Sequence, residues 1–141
     1  KKYYNIGIAV DTPEGLIVPV IKNADSKSIF DIAKEIQTLA EKAKTRKIDL
    51  GDLKGGTFTI TNIGSLGGIH ATPIINPPEC AILAPGRIKK QPRVVDFNIR
   101  IRDILPISLS FDHRIIDGAE AARFMNSVIK LLEDPDLLLL D

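Results

Sequence analysis

The sequence predicts an α/β (α+β) fold, a two-layer sandwich in which helices cover one face of a mixed, largely antiparallel sheet. Three observations predict it. Short β-branched runs recur between Gly and Pro breaks. Two stretches switch to a helical apolar period. The 141 residues, 44% hydrophobic and 26% charged, have the size and composition of one globular domain, with no room for a second.

Residues 1–10 read as a β-branched and aromatic strand with no leading turn or cap, so the chain is expected to start in mid-domain. Pro13 and Gly15 supply a turn, and residues 16–21 read as the return strand of a hairpin, with Pro19 confining part of it to an edge or bulge. From Ser28 the period changes: Ile29, Ile32, Ala33, Ile36, Leu39, Ala40 and Ala43 fall on one face of a helix running to about Arg46. Ser28 with Asp31 forms an N-cap pair, and Lys42, Lys44, Arg46 and Lys47 suit the negative end of the helix dipole as a solvated basic end. Residues 57–61 alternate as a half-buried strand, with Thr57, Thr59 and Thr61 on one face.

A glycine-rich loop follows at 62–68, and residues 74–78 are Pro-interrupted and extended. Further strands are expected at 79–84, 93–96 and 98–111. In the last, Leu105, Ile107, Leu109 and Phe111 alternate with polar residues, which would point His113 to the buried side if the alternation continued. A second amphipathic helix carries Ala121, Phe124, Met125, Val128, Leu131 and Leu132; Asp134 and Pro135 stop it, leaving Leu137, Leu138, Leu139 and Leu140 as a tail.

The charge balance removes several function classes. Nineteen Lys and Arg against 18 Asp and Glu leave a net charge of +1, and two Tyr, five Phe and no Trp give neither the basic field nor the stacking platform of a nucleic-acid binder. Cys80, the sole cysteine, excludes an intramolecular disulfide and a cysteine-based zinc site, and no metal site is expected. There is no membrane-length apolar run and no signal peptide, so a soluble intracellular protein is expected, with no membrane partner.

Chemistry is concentrated at 108–118. An imidazole at a strand end is followed four residues later by the carboxylate of Asp117 at a helix start. Histidine suits proton transfer at neutral pH. The spacing alone equally fits a structural His113 and an ordinary helix cap in which Asp117 pairs with Glu120. The loop at 62–68 lacks the Gly-Lys-Ser/Thr ending of a phosphate loop and the dinucleotide fingerprint. Cys80 reads as a small core residue and His70 as a loop or interface histidine; neither Ser65 nor Ser110 sits in a nucleophile elbow.

The segment from His113 through Asp117 to Gly118 resembles the His-x-x-x-Asp-Gly signature of the dihydrolipoamide acyltransferases, the core component of 2-oxo acid dehydrogenase complexes, which share a fold with chloramphenicol acetyltransferase. Four further segments, at 4–12, 15–21, 56–64 and 73–79, resemble the family in order, so the likeness spans essentially the whole chain. The resemblance implies that residues 1–141 are the C-terminal portion of one coenzyme A-dependent acyltransferase catalytic domain whose N-terminal part is absent. It implies acyl transfer between S-acyl dihydrolipoyl groups, carried on a separate lipoyl domain, and coenzyme A. His113 would be the general base, Thr61 the hydroxyl that hydrogen-bonds the oxyanion, and Asp117 the carboxylate that holds the loop and caps the helix; no coenzyme A contact is assigned. The implied partners are further copies of the chain, as trimers building a large core with His and hydroxyl from different chains, together with the 2-oxo acid decarboxylase and dihydrolipoamide dehydrogenase components. The implied location is the cytoplasm, or the mitochondrial matrix in a eukaryote.

The loop at 61–68 looks more like the pyruvate or branched-chain enzymes than the 2-oxoglutarate type. The leucine tail is expected to anchor one trimer to the next. Two alternatives have distinct signatures: a same-fold acetyltransferase would acylate a small-molecule hydroxyl, and a silent core-assembly scaffold would release no thiol.

Overall fold

The fold is that of a computed structural model, which describes residues 3–139, the last of these by its backbone alone. Leu140, and the side chain of Leu139, therefore lie outside the described residues of the predicted tail.

Among the described residues, nine strands and two long helices follow one another as β1 (Ile6–Ile8), β2 (Val10–Thr12), β3 (Gly15–Ile17), β4 (Val20–Ile21), α1 (Ile29–Lys44), β5 (Phe58–Ile60), β6 (Ala81–Pro85), β7 (Lys89–Val95), β8 (Asn98–Ile104), β9 (Ile107–Phe111) and α2 (Gly118–Glu133). The main sheet runs β4-β1-β5-β6-β9. Its outer pairings are antiparallel and its two inner ones, β1 with β5 and β5 with β6, are parallel. The separate β2–β3 and β7–β8 ribbons are antiparallel, so antiparallel pairing prevails among the described residues.

Three predicted strands are each divided. The first splits into β1 and β2, because Ala9 leaves the main sheet after bonding to Ile60 O and the chain turns out into the β2–β3 hairpin. The last splits at Leu105 and Pro106: β8 belongs to a projecting arm and β9 to the main sheet. Proline has no N–H for a ladder, and here Pro106 instead accepts from Gly86 N at 2.8 Å through its carbonyl. The arm reverses through Asp96 and Phe97, both with positive φ, the two-residue turn that matches ribbon twist. Pro19 breaks the return strand as expected and leaves β4 at the sheet edge.

Helix α1 begins where the sequence places it. Ser28 Oγ accepts from Asp31 N at 3.1 Å, and Leu39 and Ala43 are its buried residues. The basic end is solvated, with Lys42 3.8 Å from Asp52 and Arg46 paired to Glu14. At the end of α2, Asp134 bonds back to Lys130 O, and Pro135–Leu139 form a 3-10 turn in which Leu138 is exposed.

The alternation in β5 has a different meaning from the expected half-buried strand. Thr59, on the polar side, is the most enclosed residue of the strand at 1% exposure, while Phe58 and Ile60 are half-buried. Both faces of this central strand are covered, and the hydroxyl is satisfied by donating to Glu79 Oε2 at 2.6 Å. Two glycines make room: a Cβ at Gly7 would stand 2.8 Å from Thr59 Oγ1, and one at Gly56 would stand 2.4 Å from Glu79 Oε1. Thr59→Val keeps the shape and removes the donor, leaving a buried acceptor short of a partner. It is expected to lower unfolding free energy by roughly 1–3 kcal/mol, read from urea denaturation of the complete catalytic domain; an unchanged midpoint would show the contact to be dispensable.

Candidate active site

The sequence between β9 and α2 is short, polar and turn-forming, and its hydrogen bonds converge on one residue. Asp112 N donates to Cys80 O at 2.8 Å, and Asp112 O accepts from Ile115 N and Ile116 N at 3.0 Å each. The Asp112 carboxylate accepts from Arg114 N at 3.0 Å, from Arg114 Nε at 2.9 Å and from a terminal guanidinium nitrogen at 2.6 Å. The turn is thus closed around Asp112, and His113 is its first free side chain.

His113 is not turned to the buried side as the alternation implied. The strand ends at Phe111, and the histidine is exposed in the turn. Its ring lies 5.6 Å from the Phe111 ring, and a Cβ on Gly118 would come within 3.9 Å of Nε2. The imidazole therefore sits over the first residue of α2. Asp117 caps that helix as predicted, its carboxylate accepting from Glu120 N at 2.7 Å. Among the described residues no hydrogen bond joins Asp117 to His113.

Thr61 follows the end of β5, where its N–H donates to Leu83 O at 2.9 Å. It is half-buried and lines a cleft with Ala9, Thr59, Ala71, Pro73 and Ile82. A separate cleft of about 740 Å³ lies beside the turn, against Pro77, Pro78, Phe111, Asp112 and Arg114. Pro73, Ile74, Ile75 and Pro77 line both clefts, so this extended segment is a wall between them.

Thr61 and His113 are not brought together within one chain. The strand registers place Thr61 level with Ser108, two strands across from β9, while His113 lies five residues further along. At about 4.8 Å per strand and 3.3 Å per residue, their backbones are on the order of 15–20 Å apart. One copy carries the imidazole and the hydroxyl at opposite ends of its sheet.

His70 is exposed outside the regular elements; Cys80 is half-buried and faces the space between sheet and α2, beside Phe58 and Phe124. Among the described residues no group of three His, Cys, Asp or Glu could hold a metal ion, and no helix is long and apolar enough to cross a membrane. Sequence reasoning passed over Asp112 and Arg114. Their signal, an acid and a guanidinium bracketing the histidine at a strand end, means little until the turn is seen to close.

The chain thus carries an imidazole on a strand-to-helix turn, a helix-capping carboxylate at the start of α2 and a distant hydroxyl beyond the central strand of a mixed sheet. This chain belongs to the 2-oxoacid dehydrogenases acyltransferase (catalytic domain) family, whose model matches residues 1–140. It is 53% identical, over 141 residues, to the dihydrolipoyllysine-residue acetyltransferase component of the pyruvate dehydrogenase complex of Bacillus subtilis, covering 100% of this chain and 32% of that protein. The dihydrolipoamide acetyltransferase of Azotobacter vinelandii superposes with a TM-score of 0.95 at 49% identity, over 99% of this chain and 57% of that one. The cubic core of a pyruvate dehydrogenase multienzyme complex gives 0.95 at 48% identity, with the same coverage. The chain spans about a third of the B. subtilis relative and somewhat over half of these two solved chains.

The Arg114 side-chain hydrogen bonds, aided by that from its backbone N–H, lower the Asp112 carboxyl from its ordinary value of 3.8 to about 2. A depressed pKa in the folded state means that the pair favours folding above the ordinary carboxylate range and loses that contribution as pH falls toward about 2. Carbon-detected NMR titration should show Asp112 half-protonated near pH 2, and Arg114→Ala should move it upward toward about 3.9. An Asp112 midpoint in the ordinary range with Arg114 intact would mean that the pair is broken in solution.

Proposed function

We propose that this chain carries the C-terminal part of an acetyltransferase catalytic domain, which exchanges the acetyl group between S-acetyl dihydrolipoyl and coenzyme A. One observation carries the reading. A serine, a histidine and an asparagine have been investigated for their role in the catalytic mechanism of the A. vinelandii enzyme, where the histidine follows the serine by 52 residues and precedes the asparagine by 4. Thr61 and Asp117 stand at those same distances from His113. Threonine keeps the hydroxyl of serine, and aspartate keeps an acceptor for the helix cap.

A thiol with a pKa near 8.5 is only a few per cent ionised at neutral pH, so the attack needs a base. His113 takes the proton from the coenzyme A thiol as its sulfur attacks the thioester carbonyl. The carbonyl oxygen becomes an oxyanion, to which Thr61 donates a hydrogen bond. On collapse the carbon–sulfur bond to the dihydrolipoyl group breaks, and His113 returns the proton to the leaving sulfur. No acyl-enzyme forms. Because His113 and Thr61 of one copy are too far apart to meet, the hydroxyl comes from a neighbouring copy, as in a trimer whose sites lie between subunits. The pyruvate dehydrogenase name of the relatives and the cubic core among the neighbours support assembly into a larger cytoplasmic particle that receives lipoyl domains and works with the decarboxylase and dihydrolipoamide dehydrogenase components.

In the complete domain, His113→Ala is expected to lower kcat at least about a hundredfold, the contribution of a positioned general base; near-normal turnover would remove His113 from the mechanism. Thr61→Ala should depress kcat with little change in KM, because the oxyanion contact belongs to the transition state, and Thr61→Ser should remain active. A raised KM at unchanged kcat would reduce Thr61 to a binding role. Deleting residues 137–141 should leave folded trimers and abolish larger particles in sedimentation. Large particles that survive the deletion would refute the anchoring role of the leucine tail.

A further inference from the structure

We infer that Asp112, clamped by Arg114, is a positioning residue that sets where the His113 imidazole stands. The inference rests on the proposed role of His113 and assigns a function to two neighbours outside the His-x-x-x-Asp-Gly signature.

Geometry carries it. Asp112 is tied to the sheet through its N–H on Cys80 O and to the turn through its carbonyl, which accepts from Ile115 N and Ile116 N. Its carboxylate accepts from the backbone N–H of Arg114, the residue immediately after His113. The main chain of His113 is therefore held on both sides by one carboxylate-bearing residue. Arg114 closes the arrangement with its guanidinium, donating to both carboxylate oxygens. The bonds involve a carboxylate only 18% exposed and a guanidinium 89% exposed. An exposed arginine held this way adds little to global stability, but it fixes the carboxylate rotamer that caps the turn. The exposed imidazole then stands between Phe111, whose ring is 5.6 Å away, and Gly118, the first residue of α2. Rigid support of this kind matters for catalysis because a misplacement of about 1 Å can cost about a hundredfold in rate.

Assay of the assembled, complete catalytic domain separates this role from a structural one. Asp112→Ala is expected to lower kcat by about 10–100-fold, with the KM for coenzyme A, the melting temperature and the particle size nearly unchanged. Asp112→Asn retains an oxygen acceptor for Arg114 N and should recover most of that loss. Combined with His113→Ala, Asp112→Ala should cause no further loss, because Asp112 acts only through the imidazole. A kcat for Asp112→Ala within about twofold of the parent, or full additivity with His113→Ala, would overturn the inference. If Asp112→Ala does not assemble, Arg114→Ala decides: a lower kcat at constant KM upholds the inference, and a normal kcat overturns it. Failure of the underlying reading looks different, since His113→Ala would then itself be near normal.

Discussion

The contact between Thr59 and Glu79 is the constraint on which the rest of the structure depends. Thr59 sits at the centre of the middle strand, flanked by parallel neighbours on both sides, and its hydroxyl has to be satisfied there. Glu79 supplies the acceptor from just before β6, and Asn76 reaches the other carboxyl oxygen at 3.5 Å. The hydrogen bond thus fixes where the residues leading into β6 run, and with them the extended wall from Pro73 to Pro77 that separates the two clefts. Gly7 and Gly56 are glycines because a side chain at either would stand in the space of this contact. A second buried polar residue repeats the device one strand away. Asn5 donates to Gly55 O at 2.8 Å and accepts from Asn23 N at 2.9 Å, joining three loops at the start of β1.

From this frame the separation of the site follows. The strands order β5-β6-β9 and the antiparallel β6–β9 pairing send Thr61 to one end of the sheet and the β9–α2 turn to the other. No rotamer change closes a gap of roughly 15–20 Å set by the sheet spacings. Within one chain the Thr61 hydroxyl and the His113 imidazole therefore stay at opposite ends of the sheet. The same topology leaves the turn able to be rigid without stiffening the Thr61 cleft, because the two are supported by different ends of β6.

Much of this was legible in the residues. Both helices were, because a 3.6-residue period survives in sequence whatever packs against it, and their caps at Ser28 and Asp117 obey local chemistry. The hairpin turn at 13–15 and the break at Pro19 were legible for the same local reason. Sheet membership was not. β2 and β3 stand apart from β1 and β4, and β8 stands apart from β9, although each pair is nearly continuous in sequence; pairing partners depend on distant residues. The orientation of His113 was misjudged because alternation holds only while a strand lasts, and the turn closed by Ile115 N and Ile116 N on Asp112 O ends it. The alternation in β5 put Thr57, Thr59 and Thr61 on one face of a half-buried strand, but alternation reports two faces without saying which carries the compensating Glu79. The Asp112–Arg114 clamp lies in a turn whose closure no period announces.

The surface carries large exposed apolar areas. The β7–β8 arm has one apolar face, where Val94, Ile99 and Ile101 are each more than 70% exposed, and Phe97 stands fully exposed at its tip. Tyr4 is exposed beside the space between the sheet and α2, which Ile6, Phe58, Leu83 and Phe124 line. Exposed apolar area of this extent is rare on a free-standing monomer and marks surfaces that other protein covers. The relatives with solved structures are longer than this chain, which spans 57% of them. The arm forms its own two-stranded ladder apart from the main sheet. The apolar side of the arm and the space beside Tyr4 are thus the places where this chain presents surface for other protein to cover.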